Sequence, residues 1–280
     1  MKNILYVLFV FTFVILAGCG QKSQPEEVSQ EKAFAYTQKE DQRYMLTKWQ
    51  GCDLLDDAQH NSYSVPWPEE GMMSVEAQRE LLKCYFNDTT SATFEEAAKQ
   101  WVMTNWYAED FDVLYENVYQ DTVPQESSWG FNFCHLNGHV EENGNLVLFW
   151  YLSSAYMGGA HTINTEGCRV YDRDAAKMVH LEDLFDMDDF EGVIANAIND
   201  LDVNQNVRDN IYIEGDRKRA GVFVPDNYSI DSARTCITLM YQAYDIACGA
   251  SGPQKVTLPI SWLAEQHLLT PYAKSIFKVE

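Results

Sequence analysis

Trp129-Gly-Phe-Asn-Phe-Cys-His135, Val140 and Leu146-Val-Leu-Phe-Trp-Tyr-Leu152, punctuated by Asn137-Gly138 and Asn143-Gly144, decide the fold. The first run alternates apolar and other residues, the two-residue period of a strand. Asn-Gly pairs are strong tight-turn signals because both residues tolerate positive φ. The middle of the chain is therefore expected to be strands joined by hairpins.

Working outward, Cys168-Arg-Val-Tyr171 and Met178-Val-His-Leu181 read as a further hairpin. Phe190, Val193, Ile194, Ala197, Ile198 and Leu201 repeat at helical spacing and predict an amphipathic helix. Thr235 to Tyr244 and Val256 to Ile260 read as strands, with a short helix from Ile260 to His267. Upstream, Ser74 is placed to cap a helix through Val75, Leu81, Leu82 and Tyr85. Thr93-Phe-Glu-Glu96 has the form of a capping box, opening a helix toward Trp106. Tyr63-Ser-Val-Pro-Trp67 reads as an edge strand broken by prolines. Strands and helices come in clusters without βαβ alternation, which predicts an α+β fold. The expectation is two packed subdomains, 43–165 and 166–280, of mainly antiparallel sheet with helices on one face.

The N-terminus carries Lys2 and an apolar run from Ile4 to Ala17. That run is shorter than the roughly 20 residues of a membrane-spanning helix and suits a signal peptide. It ends in Leu16-Ala17-Gly18-Cys19, which resembles the bacterial lipobox. The expectation is a leader over 1–18, removed after lipidation of Cys19, and a membrane partner through that anchor alone. Residues 19–42, rich in Gln, Lys, Ser and Glu, are expected to be a flexible tether.

The chain has 42 acidic against 20 basic residues, a net charge of −22, with 46% hydrophobic residues. This is a globular composition with an acidic surface. It argues against nucleic acid, whose phosphates need clustered Lys and Arg. It favours a cationic partner by long-range steering, or serves solubility alone. Besides Cys19 there are six cysteines: Cys52, Cys84, Cys134, Cys168, Cys236 and Cys248. In an exported chain they permit up to three disulfides, in any of 15 pairings, or they stay as buried thiols.

Two ordered motifs resemble a known family. Tyr156-Met-Gly-Gly-Ala-His161 precedes Val170-Tyr-Asp172 and Leu181-Glu-Asp-Leu-Phe185. Tyr241-Gln-Ala-Tyr-Asp-Ile-Ala247 precedes Gly252-Pro253, Val256-Thr-Leu-Pro259 and Leu269-Thr-Pro271. Together they look like the RsiV-like domain of unknown function, found in the ectodomain of the lysozyme-sensing anti-sigma-V factor and before some peptidoglycan deacetylases. The part up to about residue 165 is similar to its companion domain. The resemblance implies an extracytoplasmic binding role, with a cationic protein such as lysozyme, or a cell-wall glycan, as ligand. It marks Tyr241, Tyr244 and Asp245 as candidate binding residues. Asp245 and Cys248 depart from the family's usual Glu and Pro. Read physically, Gly158, Gly159, His161, Gly252 and Pro253 are corner-building residues around strand ends.

Catalytic signals are weak. His135 and His139, with Cys134 and His161, are the one tempting metal set, but the intervening Asn-Gly is not a helical zincin face. There is no G-x-S-x-G elbow, and adjacency of Cys134 and His135 does not align thiol and imidazole. The expectation is a non-enzymatic binder without a cofactor. A second reading, from another class, is a cell-wall carbohydrate enzyme of deacetylase or hydrolase type, or its glycan-binding subunit.

Overall fold

Leu146-Val-Leu-Phe149 is apolar without alternation because both faces of its strand are covered. The computed structural model describes residues 33–49, 57–104, 111–116, 132–157, 161–200, 224–245 and 252–279. A seven-stranded sheet contains β1 (Tyr36–Trp49), β2 (Asp57–Pro68), β3 (Phe111–Glu116), β4 (Asn132–Asn143), β5 (Leu146–Tyr156), β6 (Ile163–Asp172) and β7 (Lys177–Val179). Its strand order is β3-β1-β2-β4-β5-β6-β7. Every pairing is antiparallel except β2 with β4, which run parallel with Gln59 opposite Asn132. A parallel pair needs a long crossover. Here it contains α1 (Val75–Phe86) and α2 (Phe94–Val102), and then β3 at the far edge.

Both helices start as the sequence predicts. Ser74 Oγ accepts from Ala77 N at 3.3 Å, and Thr93 Oγ1 accepts from Glu96 N at 3.2 Å. Glu96 reaches back to Ala92 N, one residue before the cap. Leu81, Leu82, Tyr85, Phe86, Phe94 and Ala97 pack on Val65, Leu136, Val147, Phe149 and Tyr171. That is one face of the sheet. The other face, from Leu146, Leu148, Cys168 and Val170, meets a second, three-stranded sheet of order β10-β9-β8. Its strands are β8 (Tyr228–Ile230), β9 (Cys236–Tyr241) and β10 (Gln254–Pro259). The same core includes residues of α3 (Leu181–Leu184), α4 (Met187–Asp200), α5 (Ile260–Glu265) and α6 (Pro271–Phe277). Phe185 and Phe190 stack within it at 4.4 Å. The fold is α+β, but its helices lie on both faces of the large sheet and not on one.

Several local expectations change. The sheet begins inside the expected tether: Phe34 is buried and β1 starts at Tyr36, so a spacer running to residue 42 is too long. The expected boundary at 165/166 falls inside β6, and Phe34 onward forms one compact unit. β2 is not an edge strand; it lies between β1 and β4. Its Pro66 has no N–H to donate and lies past Ser64, the last residue of β2 in register with β4. Nearby, the Gly138 carbonyl accepts from the Gln38 side-chain amide of β1 at 3.2 Å.

Asn137-Gly138 is not a turn; it lies in the middle of β4. A Cβ on Gly138 would sit 2.8 Å from the Trp150 carbonyl and 3.0 Å from Pro66 Cδ, so glycine is required there by close strand approach. The turn is at Gly144-Asn145, between paired Asn143 and Leu146, with Gly144 at φ 57°. Glycine at the first of two central positions is what a type II′ hairpin favours.

Candidate functional site

Past Tyr151 the covering layers end and β5 changes character: Leu152 is 43% exposed and Ser153 and Ser154 follow. On β4, β5 and β6 the opposed residues His139–Trp150, Asn137–Leu152–Glu166 and His135–Ser154–Asn164 share one face. On β1 and β2 it continues through Tyr44–His60, which stand next to Phe133–Tyr156. Tyr44 stacks on His60 at 4.1 Å, and His60 meets His135 edge-on at 4.9 Å. Burial, reinforced by His135, pushes the His60 pKa down to about 4, so it is neutral near pH 7.

Asn137, Gly138, His139, Trp150, Tyr151, Leu152 and Glu166 line a groove of about 420 Å³ on this face. The His139 and Trp150 rings lie within 7° of parallel with centroids 6.1 Å apart, which makes an offset aromatic platform. At its rim Glu166 Oε1 accepts from Lys255 Nζ at 2.7 Å.

Beside the groove, the backbone of β6 is tied to the end of β9. Gln242 Nε2 donates to the Glu166 carbonyl at 2.7 Å, and Gln242 Oε1 accepts from Glu166 N at 2.9 Å. Gln242 opens a tight turn that Asp245 closes, its Oδ2 accepting from Gln242 N at 2.7 Å. Tyr244 occupies the left-handed region of that turn at φ 74°. Non-glycine residues rarely adopt this conformation, and bulky ones least of all. The consequence is an aromatic ring held outward, 51% exposed.

Tyr244 Oη lies 3.0 Å from His161 Nε2, at the beginning of the segment leading into β6. His161 Nδ1 lies 3.2 Å from the Thr162 carbonyl, which can only accept. In the neutral ring the proton therefore sits on Nδ1, and Nε2 accepts from the tyrosine hydroxyl. The two sequence motifs, 80 residues apart, thus meet at an exposed Tyr–His pair.

No protein-family model and no curated protein matches this sequence. Two solved structures resemble it along most of its length. One is a member of the DUF3298 family from Bacteroides fragilis, with TM-score 0.57 and 18% identity over 88% of this chain and 97% of that one. The other is a DUF3298 family protein from Pseudomonas aeruginosa, with TM-score 0.53 and 14% identity over 86% and 97%. The chain has the DUF3298 fold.

Within that fold the predicted residues separate. Tyr244 and His161 come together and are accessible. Tyr241 ends β9 fully buried, and its hydroxyl is held protonated by burial and by the nearby Asp245 charge. Asp245 is a turn-closing group. Gly252, at φ 67°, and Pro253 lead into β10, and Gln254 Nε2 donates to the Gly252 carbonyl. Gly158 and Gly159 lie outside the described residues, as do Cys19, Cys52 and Cys248. Cys84, Cys134, Cys168 and Cys236 are free thiols, so no disulfide joins the described cysteines. Burial raises the thiol pKa of Cys84, Cys134 and Cys168, which behave as packing residues.

Cys134 points to the opposite face of β4 from His135 and His139, and those two are four strand residues apart, about 13 Å. Among the described residues no three His, Cys, Asp or Glu side chains converge on a metal position. Trp150, Gln242 and Lys255 were not signalled by the sequence. A tryptophan in a strand reads as core, and a glutamine's pairing with a distant backbone has no local pattern.

Proposed function

We propose that this chain is an extracytoplasmic bacterial lipoprotein acting as a non-catalytic binding module of RsiV-like type. Its ligand is an envelope-associated protein, with a cationic muramidase such as lysozyme as the candidate. The observation that carries this reading is Tyr244. A bulky residue kept in the left-handed region stores strain, and strain of this kind clusters at functional positions. Here it presents an aromatic ring, bonded to His161, on an acidic molecule. Exposed tyrosines supply much contact area at low entropic cost. The lipobox supports placement at the outer face of a membrane, and the fold shared with DUF3298 proteins is consistent with a module of this size.

The test is titration of the chain with lysozyme and with an unrelated basic protein of similar size and charge. Specific recognition predicts a preference for lysozyme that Tyr244→Ala removes without lowering Tm. Equal affinity for both proteins would reduce the acidity to solubility and leave the ligand unassigned.

A further inference from the structure

The groove over Trp150 has a chemistry different from that of the Tyr244 edge. Its floor is a flat, offset platform of Trp150 and His139, extended by exposed Leu152. Its rim carries Asn137, an amide with both donors and an acceptor, on the same strand as His139. At the rim the charges of Glu166 and Lys255 cancel. Glu166 is paired with Lys255 at 2.7 Å, and Glu141 stands 3.5 Å from His139. The described residues that line the groove include no Lys or Arg, and their one carboxylate, Glu166, is held by Lys255.

The groove is also built rigidly. Its residues stand on three hydrogen-bonded strands, β4, β5 and β6, and Gly138 lacks the side chain that would collide with the Trp150 carbonyl. A volume of about 420 Å³ lies in the small-molecule range. Flat aromatic surface beside neutral, two-way hydrogen-bonding groups suits a molecule with one face of C–H bonds and an edge of hydroxyls. Ring C–H groups carry the positive end of weak dipoles and meet the negative face of an aromatic ring.

We propose that this groove binds a neutral oligosaccharide, stacked on the Trp150–His139 platform and oriented by Asn137. The proposal does not depend on recognition of a protein at Tyr244, and the two fail separately. The full-length chain, kept in a detergent without a sugar headgroup, is titrated with cellotetraose and chitotetraose by calorimetry. A tetramer of galacturonate serves as the anionic control. Expected is saturable binding of at least one neutral tetrasaccharide, with the uronate at least tenfold weaker.

Trp150→Ala should abolish binding, but Trp150 also packs against the core. Asn137→Ala, at an exposed position, supplies the second variant; it should weaken binding at least fivefold with Tm unchanged. Tyr244→Ala should leave sugar affinity intact. Absence of saturable binding for both neutral sugars, or affinity unchanged by Asn137→Ala and Trp150→Ala alike, would overturn the proposal.

Discussion

The carboxamide of Gln242 bonds both backbone groups of Glu166, 76 residues away, donating at 2.7 Å and accepting at 2.9 Å. One side chain thereby does for the outer edge of β6 what a neighbouring strand would do, and fastens the small sheet to the large one. Gln242→Leu should leave a part-buried N–H and C=O without partners and cost about 1–3 kcal/mol of stability. Gln242→Glu keeps an acceptor but sets a carboxylate against the carbonyl, so it should not rescue. Urea unfolding of the three proteins measures both, and an unchanged midpoint for Gln242→Leu would contradict the role.

Gly167 is buried, and a Cβ there would fall 2.2 Å from the Tyr151 ring. Overpacking of this kind typically costs about 1–3 kcal/mol. Gly167→Ala should lower stability by that amount, and Tyr151→Leu in the same chain should recover part of it. A strictly additive double mutant would mean that the two residues do not interact.

His60 gives the molecule an acid-sensitive point. Its folded pKa is about 4, below the ordinary 6.5, so between these values the unfolded chain binds more protons than the folded one. Its contribution to stability is complete above about pH 6.5 and is lost as pH falls toward 4. His60→Phe keeps a ring to stack on Tyr44 but cannot take a proton. The Tm difference between pH 7 and pH 4.5 should therefore be smaller in the variant than in the wild type. Equal differences would remove His60 as the cause.

The four described cysteines should alkylate in an order set by burial. Cys236, half-buried, should label in the native protein, whereas Cys168, fully enclosed, should label only after unfolding. Unfolding without reductant should expose at least these four thiols, read by intact mass. Fewer labelled sites would mean that one of them is paired.

Cys19→Ser tests the anchor. Loss of the acylated thiol should stop incorporation of labelled fatty acid and release the protein from the membrane fraction. Normal acylation of that variant would end the lipoprotein reading.

What the sequence discloses depends on how local the cause is. Ser74 and Thr93 announce their helices because a cap is made within four residues. β5 is legible because seven consecutive apolar residues follow a turn signal. β1 is not: Tyr36-Thr-Gln-Lys-Glu-Asp-Gln-Arg43 has the composition of a spacer and is a strand because β2 pairs with it residue by residue. Asn137-Gly138 misleads because the glycine is needed by Trp150 on another strand. At the site, His161 and Tyr244 are legible as family-like positions. The opposite fates of Tyr241 and Tyr244 are not, since the left-handed turn between them breaks the strand's alternation.

The parallel pairing of β2 with β4 also sets a timetable. β1 and β2 form a local hairpin, but the next partner of β2 begins at Asn132, 73 residues beyond Gln59. Closing so long a loop costs entropy before any contact repays it, and folds rich in such pairings are slow. Until that loop closes, the β1–β2 ribbon waits with one edge open for β4. An unfilled strand edge invites pairing with another chain. Slow passage through this stage makes a nascent copy vulnerable to aggregation, and it is the stage at which a holding chaperone would have its greatest effect.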